Sequence, residues 1–294
     1  MIVVLIVAGL AALTYFVAQR IAVAGRDELR SSTAAPGTVR ILTWNIENFG
    51  WTKVSDVPRV AAIAEIVRQY DIVAVQEVSD ARNRVPARFV EVLNSTEGAR
   101  WNFVASNRTG AEADDHSSAE QYAFFYNEDA IEVIDAGAVF PDGAHARFQR
   151  EPFVARFRAR AGGLTFGLIT IHTAPTVAVA EIGALDEVFT WTRARWPDET
   201  HILALGDFNA GCHYAHPADL DALPIRGPRY VWLVPDSADT NVADGACAYD
   251  RIVATTETSA HYRGAWGVSV AAFDPSQLDL SDHWPVWVSL TADP

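Results

Sequence analysis

Residues 206–212, GDFNAGC, put two oxygen donors of the kind that hold hard metal ions, Asp207 and Asn209, directly after the apolar run HILAL. If that run is a strand, side chains two apart share a face, so Asp207 and Asn209 reach the same point. Loops at strand ends are where sites are built. The competing reading is a plain Asp/Asn/Gly turn, since these residues favour turns for local reasons. Polar residues at the ends of other apolar runs decide between the two. Asn45, Gln76-Glu77 and His172 each close such a run, Glu120 opens one, and Asp250 and Asp282-His283 stand at the ends of two more. A polar cleft at one edge of the sheets explains this recurrence better than unrelated solvated loops. The set holds carboxylates, amides and imidazoles, without a nucleophilic Cys, a Ser elbow or a phosphate-binding Gly loop. Hard oxygen ligands suit Mg²⁺, Mn²⁺ or Ca²⁺, whereas a zinc site wants more closely spaced His or Cys. A divalent metal beside acid-paired histidines is the equipment of phosphoester hydrolysis.

The elements that must position these residues alternate at first between strand and helix patterns. VRILTWNI reads as a strand, VPRVAAIAEIVRQ has helical spacing of Val57, Val60, Ile63, Ala64 and Val67, and DIVAVQEV is a strand. QYAFFY, AIEVIDAGAVF, PFVARFRA and LTFGLITIHT then follow as successive strands, and APTVAVAEIGALDEVFTWTRARW as a long helix. HILALGDF, YDRIVAT and WPVWVSL complete the strands. Runs of adjacent strands with helices at the start and middle predict stacked sheets with helices outside, an α/β (α+β) fold.

With 294 residues, half of them hydrophobic, the chain can bury a substantial core. Its formal charge of −14 argues against holding nucleic acid or an anionic membrane through a diffuse basic surface, so an anionic substrate needs metal ions or a few placed cations. Residues 1–24 are a membrane-targeting segment, uncharged from Ile2 to Ala18. Two readings stay open: a signal peptide with Ala22-Val23-Ala24 as its small-residue cleavage site, or an uncleaved anchor at the short end of what spans a bilayer. Arg20, Arg26 and Arg30 would draw an uncleaved segment toward a cytoplasmic C-terminus. The polar stretch 25–37 reads as a linker and residues 38–294 as the folded domain. The two cysteines, Cys212 and Cys247, are either separate buried thiols or a disulfide. An export segment favours the disulfide and an extracytoplasmic location, secreted or membrane-anchored; the bond would contribute roughly 3–4 kcal/mol through loop closure.

The blocks TWNIENFG, DIVAVQEV, AEQYAFFYN, REPFVARF, ITIHTAPTVAVAEI, GDFNAGC, PDSADT, CAYDRIV and SDHWPV occur in this order over about residues 39–290. Together they resemble the endonuclease/exonuclease/phosphatase superfamily and, within it, the secreted deoxyribonuclease I branch. GDFN and SDH carry the superfamily; HTAP, REP, PDSADT and CAYDRIV carry the branch. The resemblance implies a four-layer α/β/β/α sandwich of two mostly antiparallel sheets. It implies that His172 and His283 flank the scissile phosphate, oriented by Glu120 and Asp250, one helping to activate water and the other protonating the leaving 3′ oxygen. Asn45, Glu77, Asp207, Asn209 and Asp282 would hold Mg²⁺ (or Mn²⁺) and the phosphate oxygens, and Arg150 would contact substrate phosphate. The loop PDSADTNVADGAC would bind structural Ca²⁺ through Asp239 and carbonyls near Asn241 and Ala243. Cys212 and Cys247 fall where the branch places a disulfide. DNA is the implied substrate, a monomer the implied form, and 5′-phosphate ends the implied products.

The departures from the branch concern DNA contact. Glu47 and Ser79 stand where the branch has Arg, Ser118 where it has a minor-groove Tyr, and the shorter FPDGAHARFQ replaces a second disulfide loop with calcium ligands. Each lost cation weakens salt-dependent binding. Three readings follow: a metal-dependent nuclease on DNA; a phosphodiesterase or phosphatase of lipid head groups or small phosphoesters; and a non-enzymatic binding protein on the same scaffold. The intact Glu120, His172, Asp250 and His283 favour the first.

Overall fold

Side-chain alternation along β1 (Thr38–Phe49) builds two cores from one strand. Ile41 points toward a second sheet and, with Ile72 and Phe124 of its own sheet, shares a core with Phe166 and Leu203 of that one. Leu42 and Trp44 point the other way, onto Val60, Ile63 and Phe89 of an outer helical layer. The computed structural model describes residues 37–110, 119–143, 146–270, 272–275 and 278–293. The apolar segment 1–24, most of the linker, His116, Ser118 and His145 lie outside the described residues. Among the described residues no helix is long and apolar enough to cross a membrane.

After β1 come α1 (Trp51–Ser55), α2 (Val57–Val67), β2 (Ile72–Val78), α3 (Val85–Leu93), β3 (Trp101–Ala105) and β4 (Gln121–Asn127). Asp56 caps α2 by accepting from the Arg59 amide at 3.2 Å. The second half runs β5 (Ile131–Val139), β6 (Phe153–Ala159), β7 (Thr165–His172), α4 (Ala178–Arg195), β8 (Ile202–Asp207), α5 (Pro217–Asp221), β9 (Tyr230–Trp232), β10 (Asp250–Thr255), β11 (Tyr262–Val268) and β12 (Val286–Thr291). The sheets are ordered β11-β12-β1-β2-β4-β3 and β5-β6-β7-β8-β10-β9. Helices α1 to α3 cover the first sheet, and α4 packs Ile182, Leu185 and Phe189 onto Ile169, Ile202 and Ala204 of the second. The predicted α/β/β/α sandwich is therefore the observed fold.

Each sheet is antiparallel except for one central parallel pair, β1–β2 and β7–β8. Parallel neighbours need a crossover, supplied by α1–α2 in one case and α4 in the other. Six of these elements go beyond those that periodicity predicts: α1, α3, α5, β3, β9 and β11. β9 has only three residues, and β3 and β11 are mostly half-exposed, so none of them carries a clean apolar alternation. α3 keeps only a narrow stripe, Val85, Phe89 and Leu93.

Gly206 sets the approach of β8 to β7. It has φ +146°, and a Cβ there would stand 1.9 Å from the Ile171 carbonyl oxygen, opposite which it pairs. Gly206→Ala is expected to force these strands apart and to lower stability by at least about 2 kcal/mol. A urea-unfolding midpoint indistinguishable from wild type would contradict this reading of the β7–β8 contact.

Candidate active site

The two parallel pairs end at the same edge of the sandwich, where a strand's carboxyl end leaves room for a cleft. In the second sheet His172 pairs with Asp207 and Asp207 with Asp250. In the first, Asn45 pairs with Gln76. Antiparallel neighbours begin at this edge, so Glu120 lies just before β4 and His283 just before β12. Carboxyl ends of parallel strands and amino ends of antiparallel ones thus deliver their polar residues to one place.

Glu77 reaches it through a bulge. The register of β2 against β4 slips between Val75 and Val78, and Glu77 has φ +59°. In a regular strand Gln76 and Glu77 would face opposite ways. Here the Gln76 amide turns inward, donating to Thr43 Oγ1 (3.1 Å) and Thr170 Oγ1 (2.9 Å), and joins the sheets under the cleft. The Glu77 carboxylate accepts from Asn45 Nδ2 at 2.9 Å and from the Asn48 amide at 2.7 Å. Asn48, Asn209 and Cys212 also have positive φ, so left-handed non-glycine residues gather around the cleft. At Asn209 the turn is held by its amide on Asp207 Oδ1 (2.9 Å) and its Nδ2 on the Thr173 carbonyl (3.0 Å).

Asp207 stands between two acid-paired imidazoles. Nδ1 of His172 is 2.9 Å from Glu120 Oε2, and Nδ1 of His283 is 2.8 Å from Asp250 Oδ2. Nε2 of each ring lies 3.5 Å from the same atom, Asp207 Oδ2, which also accepts from Asn45 Nδ2 at 3.1 Å. Burial opposes the imidazolium of His283, but Asp250 and Asp207 outweigh it and hold its pKa well above the ordinary range. For His172, burial again works downward and the Glu120 hydrogen bond with the Asp207 charge prevails. Burial would raise the Asp207 carboxyl, yet His283 and His172 keep it low. Complete burial pushes Asp250 up. The Asp207 charge raises both members of this pair, the Asp250 carboxyl and the His283 imidazolium.

Ligand atoms of Asp207, Asp250 and His283 lie within 4.8 Å of one another. Asp250 and His283 are already committed to each other, so this trio is a proton-sharing chain. Among the described residues, Asn45 Oδ1 is buried without a hydrogen-bond partner and set beside the Glu77 carboxylate, and Asp250 Oδ1 is likewise unpartnered. An amide oxygen and a carboxylate fit a hard divalent cation.

The remaining expected residues take varied positions. Arg150 is buried, with Nε and Nη2 donating to the carbonyls of His172 and Thr173 at 3.1 Å each and Nη1 3.5 Å from Glu120. Asp282 is at the rim, its side chain 61% exposed and 3.9 Å from His283 Nε2. Cys212 and Cys247 are bonded, with Cα atoms 5.6 Å apart. Asn241 bridges to His283, and the Val242 amide donates to the Asp282 carbonyl at 2.9 Å, so the PDSADT loop braces the His283 segment. His213 and His216 are exposed, while His201 and His261 meet edge to face with ring centroids 4.5 Å apart.

Sequence reasoning missed several supports. Buried Lys53 donates to the carbonyls of Ile46, Glu47 and, at 2.9 Å, Leu280, tying the end of β1 to the segment before His283. Ser281 Oγ donates to the Asn45 carbonyl at 2.6 Å. Tyr122 takes the His172 amide at 3.0 Å. Arg251, which burial pushes down to about 10, ties the Ala210 and Pro235 carbonyls at 2.8 Å each. No local pattern signalled them: Lys53 lies in the mixed stretch WTKVSD, and Arg251 directly follows Asp250.

The Endonuclease/Exonuclease/phosphatase family model matches residues 42–283, a span that contains all of these groups. The chain belongs to that family. It is 34% identical to human deoxyribonuclease-1 over 270 residues, covering 86% of this chain and 92% of the relative. With human deoxyribonuclease gamma it shares 36% over 262 residues, 84% of each. A family member from Bacteroides thetaiotaomicron superposes with a TM-score of 0.58 at 16% identity, covering 88% of this chain and 99% of that one. A mannosyl-6-phosphatase from the same organism gives 0.55 at 18%, covering 85% and 98%. These structures share the fold, which by itself does not select the phosphoester.

The charge chain has a pH signature. His172 and His283 have raised folded pKa values, so their contribution to stability is complete below about pH 6.5 and lost as pH rises through those values. Asp207 is depressed, so its contribution is present above about pH 3.9 and lost as pH falls through its folded value. All three act together between about pH 4 and 6.5. Metal-free Asp207→Asn is expected to fall furthest below wild type in that window, with the gap narrowing at higher pH. Melting temperature against pH in chelator reads it; a gap constant up to about pH 9 overturns the assignment.

Proposed function

We propose that the protein is a divalent-metal-dependent endonuclease that hydrolyses DNA phosphodiesters to leave 5′-phosphate ends. The carrying observation is the pair of acid-braced imidazoles converging on Asp207 Oδ2, beside the unpartnered Asn45 Oδ1 and the Glu77 carboxylate. Its occurrence in a chain about one-third identical to deoxyribonucleases over most of its length supports DNA as the substrate.

In this reading Asn45 and Glu77 hold Mg²⁺ or Mn²⁺. When bound, the metal supplies positive charge against the phosphate oxygens. Glu120 and Asp250 hold the rings of His172 and His283 with Nδ1–H toward the carboxylates, leaving each Nε2 to face the substrate. His283, whose imidazolium is the more strongly favoured, donates a proton to the leaving 3′ oxygen, and His172 takes one from the attacking water. Asp207 orients both rings, and Asn209 offers its amide to a phosphate oxygen. Arg150 adds positive charge behind His172, and Asp282 belongs to the rim. The site is complete within one chain, in keeping with a monomer. The disulfide suits an oxidising compartment outside the cytoplasm.

We also place structural Ca²⁺ in the Asp239–Ala243 loop. There the carbonyls of Ala243 and Gly245 both accept from Asn241 Nδ2, at 3.4 and 3.2 Å, so oxygens of the kind that ligate Ca²⁺ gather in this loop. Asp239 Oδ1 lies 3.4 Å from the Asn241 amide nitrogen.

Wild-type protein is expected to nick supercoiled plasmid with Mg²⁺ and to stop in chelator. His172→Ala and His283→Ala are each expected to lose about 10²–10⁴-fold in kcat/KM. Cleavage of a lipid phosphodiester with no cleavage of plasmid, single-stranded DNA or RNA would remove the nuclease reading.

The rim sets the grip on DNA. Burial, and then the nearby Asp282, raise the pKa of Glu47. Its carboxylate is 3.9 Å from Lys53, whose charge is spent on backbone carbonyls. Glu47→Arg is expected to lower KM for duplex DNA and to steepen the log–log salt dependence by about 0.9, the value of one phosphate contact. Cleavage rates from low to moderate salt measure this slope, and an unchanged slope places Glu47 away from the DNA path.

A further inference from the structure

Glu181 is fully buried in the first turn of α4, outside the set of residues that face the cleft. A glutamate at that place in a helix ordinarily faces water and the helix's own amides. Here both oxygens leave the helix. Oε1 accepts from the Gln149 amide at 2.6 Å, and Oε2 accepts from the Ala174 amide at 2.8 Å. Gln149 immediately precedes Arg150, and Ala174 follows the His172-Thr173 pair.

The same two segments are joined from the other side. Arg150 donates to the carbonyls of His172 and Thr173. One segment thus lends its guanidinium to the other's carbonyls, while one carboxylate gathers an amide from each. The held segment is a junction for the rest of the cleft. The Thr173 carbonyl also takes Asn209 Nδ2 at 3.0 Å, and the Thr173 amide donates to the Asp207 carbonyl at 2.9 Å. A buried carboxylate shared in this way is costly unless every lone pair is used in fixed geometry.

We infer that Glu181 is a positioning residue for the phosphodiester cleavage proposed above: its carboxylate sets Arg150 and His172 relative to one another, and through Thr173 sets Asn209. The inference rests on the nuclease reading. Glutamine at this position has one acceptor oxygen, and its NH₂ would meet the second amide donor to donor. One segment is then released, and Arg150 and His172 lose their mutual register. Displacements of about 1 Å in such a frame cost on the order of 100-fold in rate.

The test uses the full chain with Mg²⁺, cutting both plasmid DNA and bis(4-nitrophenyl) phosphate. Glu181→Gln is expected to lower kcat/KM on the order of 100-fold. KM should rise and kcat fall together. The decisive reading is a double-mutant cycle: because Glu181 and Arg150 hold the same two segments, E181Q should cost several-fold less in an R150A background than in wild type. If E181Q does not fold, Glu181→Asp, which keeps the charge but reaches only one amide, takes its place in the cycle. A variant within about twofold of wild type, or losses that multiply with those of R150A, overturns the inference while leaving an active wild type as a nuclease. A wild type that cuts neither substrate removes the nuclease reading and this inference with it.

Discussion

A single carboxylate oxygen, Asp207 Oδ2, is the point on which the cleft depends. It sits between the imidazoles of His172 and His283 and takes the amide of Asn45, so it bonds residues of both sheets at once. A buried carboxylate with no such neighbours would be neutral. With them, each charge stabilises the other two, and moving any one strands the rest. The close approach of β8 to β7 at Gly206 and the strained turn at Asn209 place this oxygen where it is.

Beneath it the two sheets are not joined by apolar contact alone. Thr43, Gln76 and Thr170 form a buried polar layer directly under the cleft, and one glutamine amide bonds both sheets. Such a layer is favourable only when its donors and acceptors are paired, so it specifies how the sheets slide over one another. The cleft inherits that specificity, because Asn45 is two residues from Thr43 and His172 two from Thr170 along their strands. The rim is a different environment. Glu47, half-buried, and Asp282, exposed, are acids there, and the nearby Lys53 is consumed by carbonyls. Chemistry and grip on a polyanion are therefore separable in this molecule.

Much of this is legible in the linear chain for a local reason. Strand alternation, helical spacing and polar residues at strand ends are short-range patterns, so the long strands and the two main crossover helices follow from them. Short or half-exposed elements such as β9 and β11 do not, since their stability comes from neighbours and their own residues carry little periodicity. The same division holds in the cleft. Asp207, Asn209, His172 and His283 announce themselves at strand ends. Lys53, Tyr122 and Ser281 do not, because their function is to satisfy backbone groups of segments far away in sequence.

The sequence by itself determined the kind of chemistry: hard oxygen donors and two histidines, each with an acid partner, in an order that resembles a phosphodiester-cleaving family. Ligand type and proton affinity belong to side chains, so they survive in a string of letters. Only the tertiary structure decided how those groups are used. It turned Glu77 inward through a bulge, set Asp282 out at the rim, and bent Arg150 back onto the carbonyls behind His172. Those outcomes depend on register slips, buried amides in need of partners and the closeness of two sheets, which arise from contacts between residues tens to hundreds of positions apart.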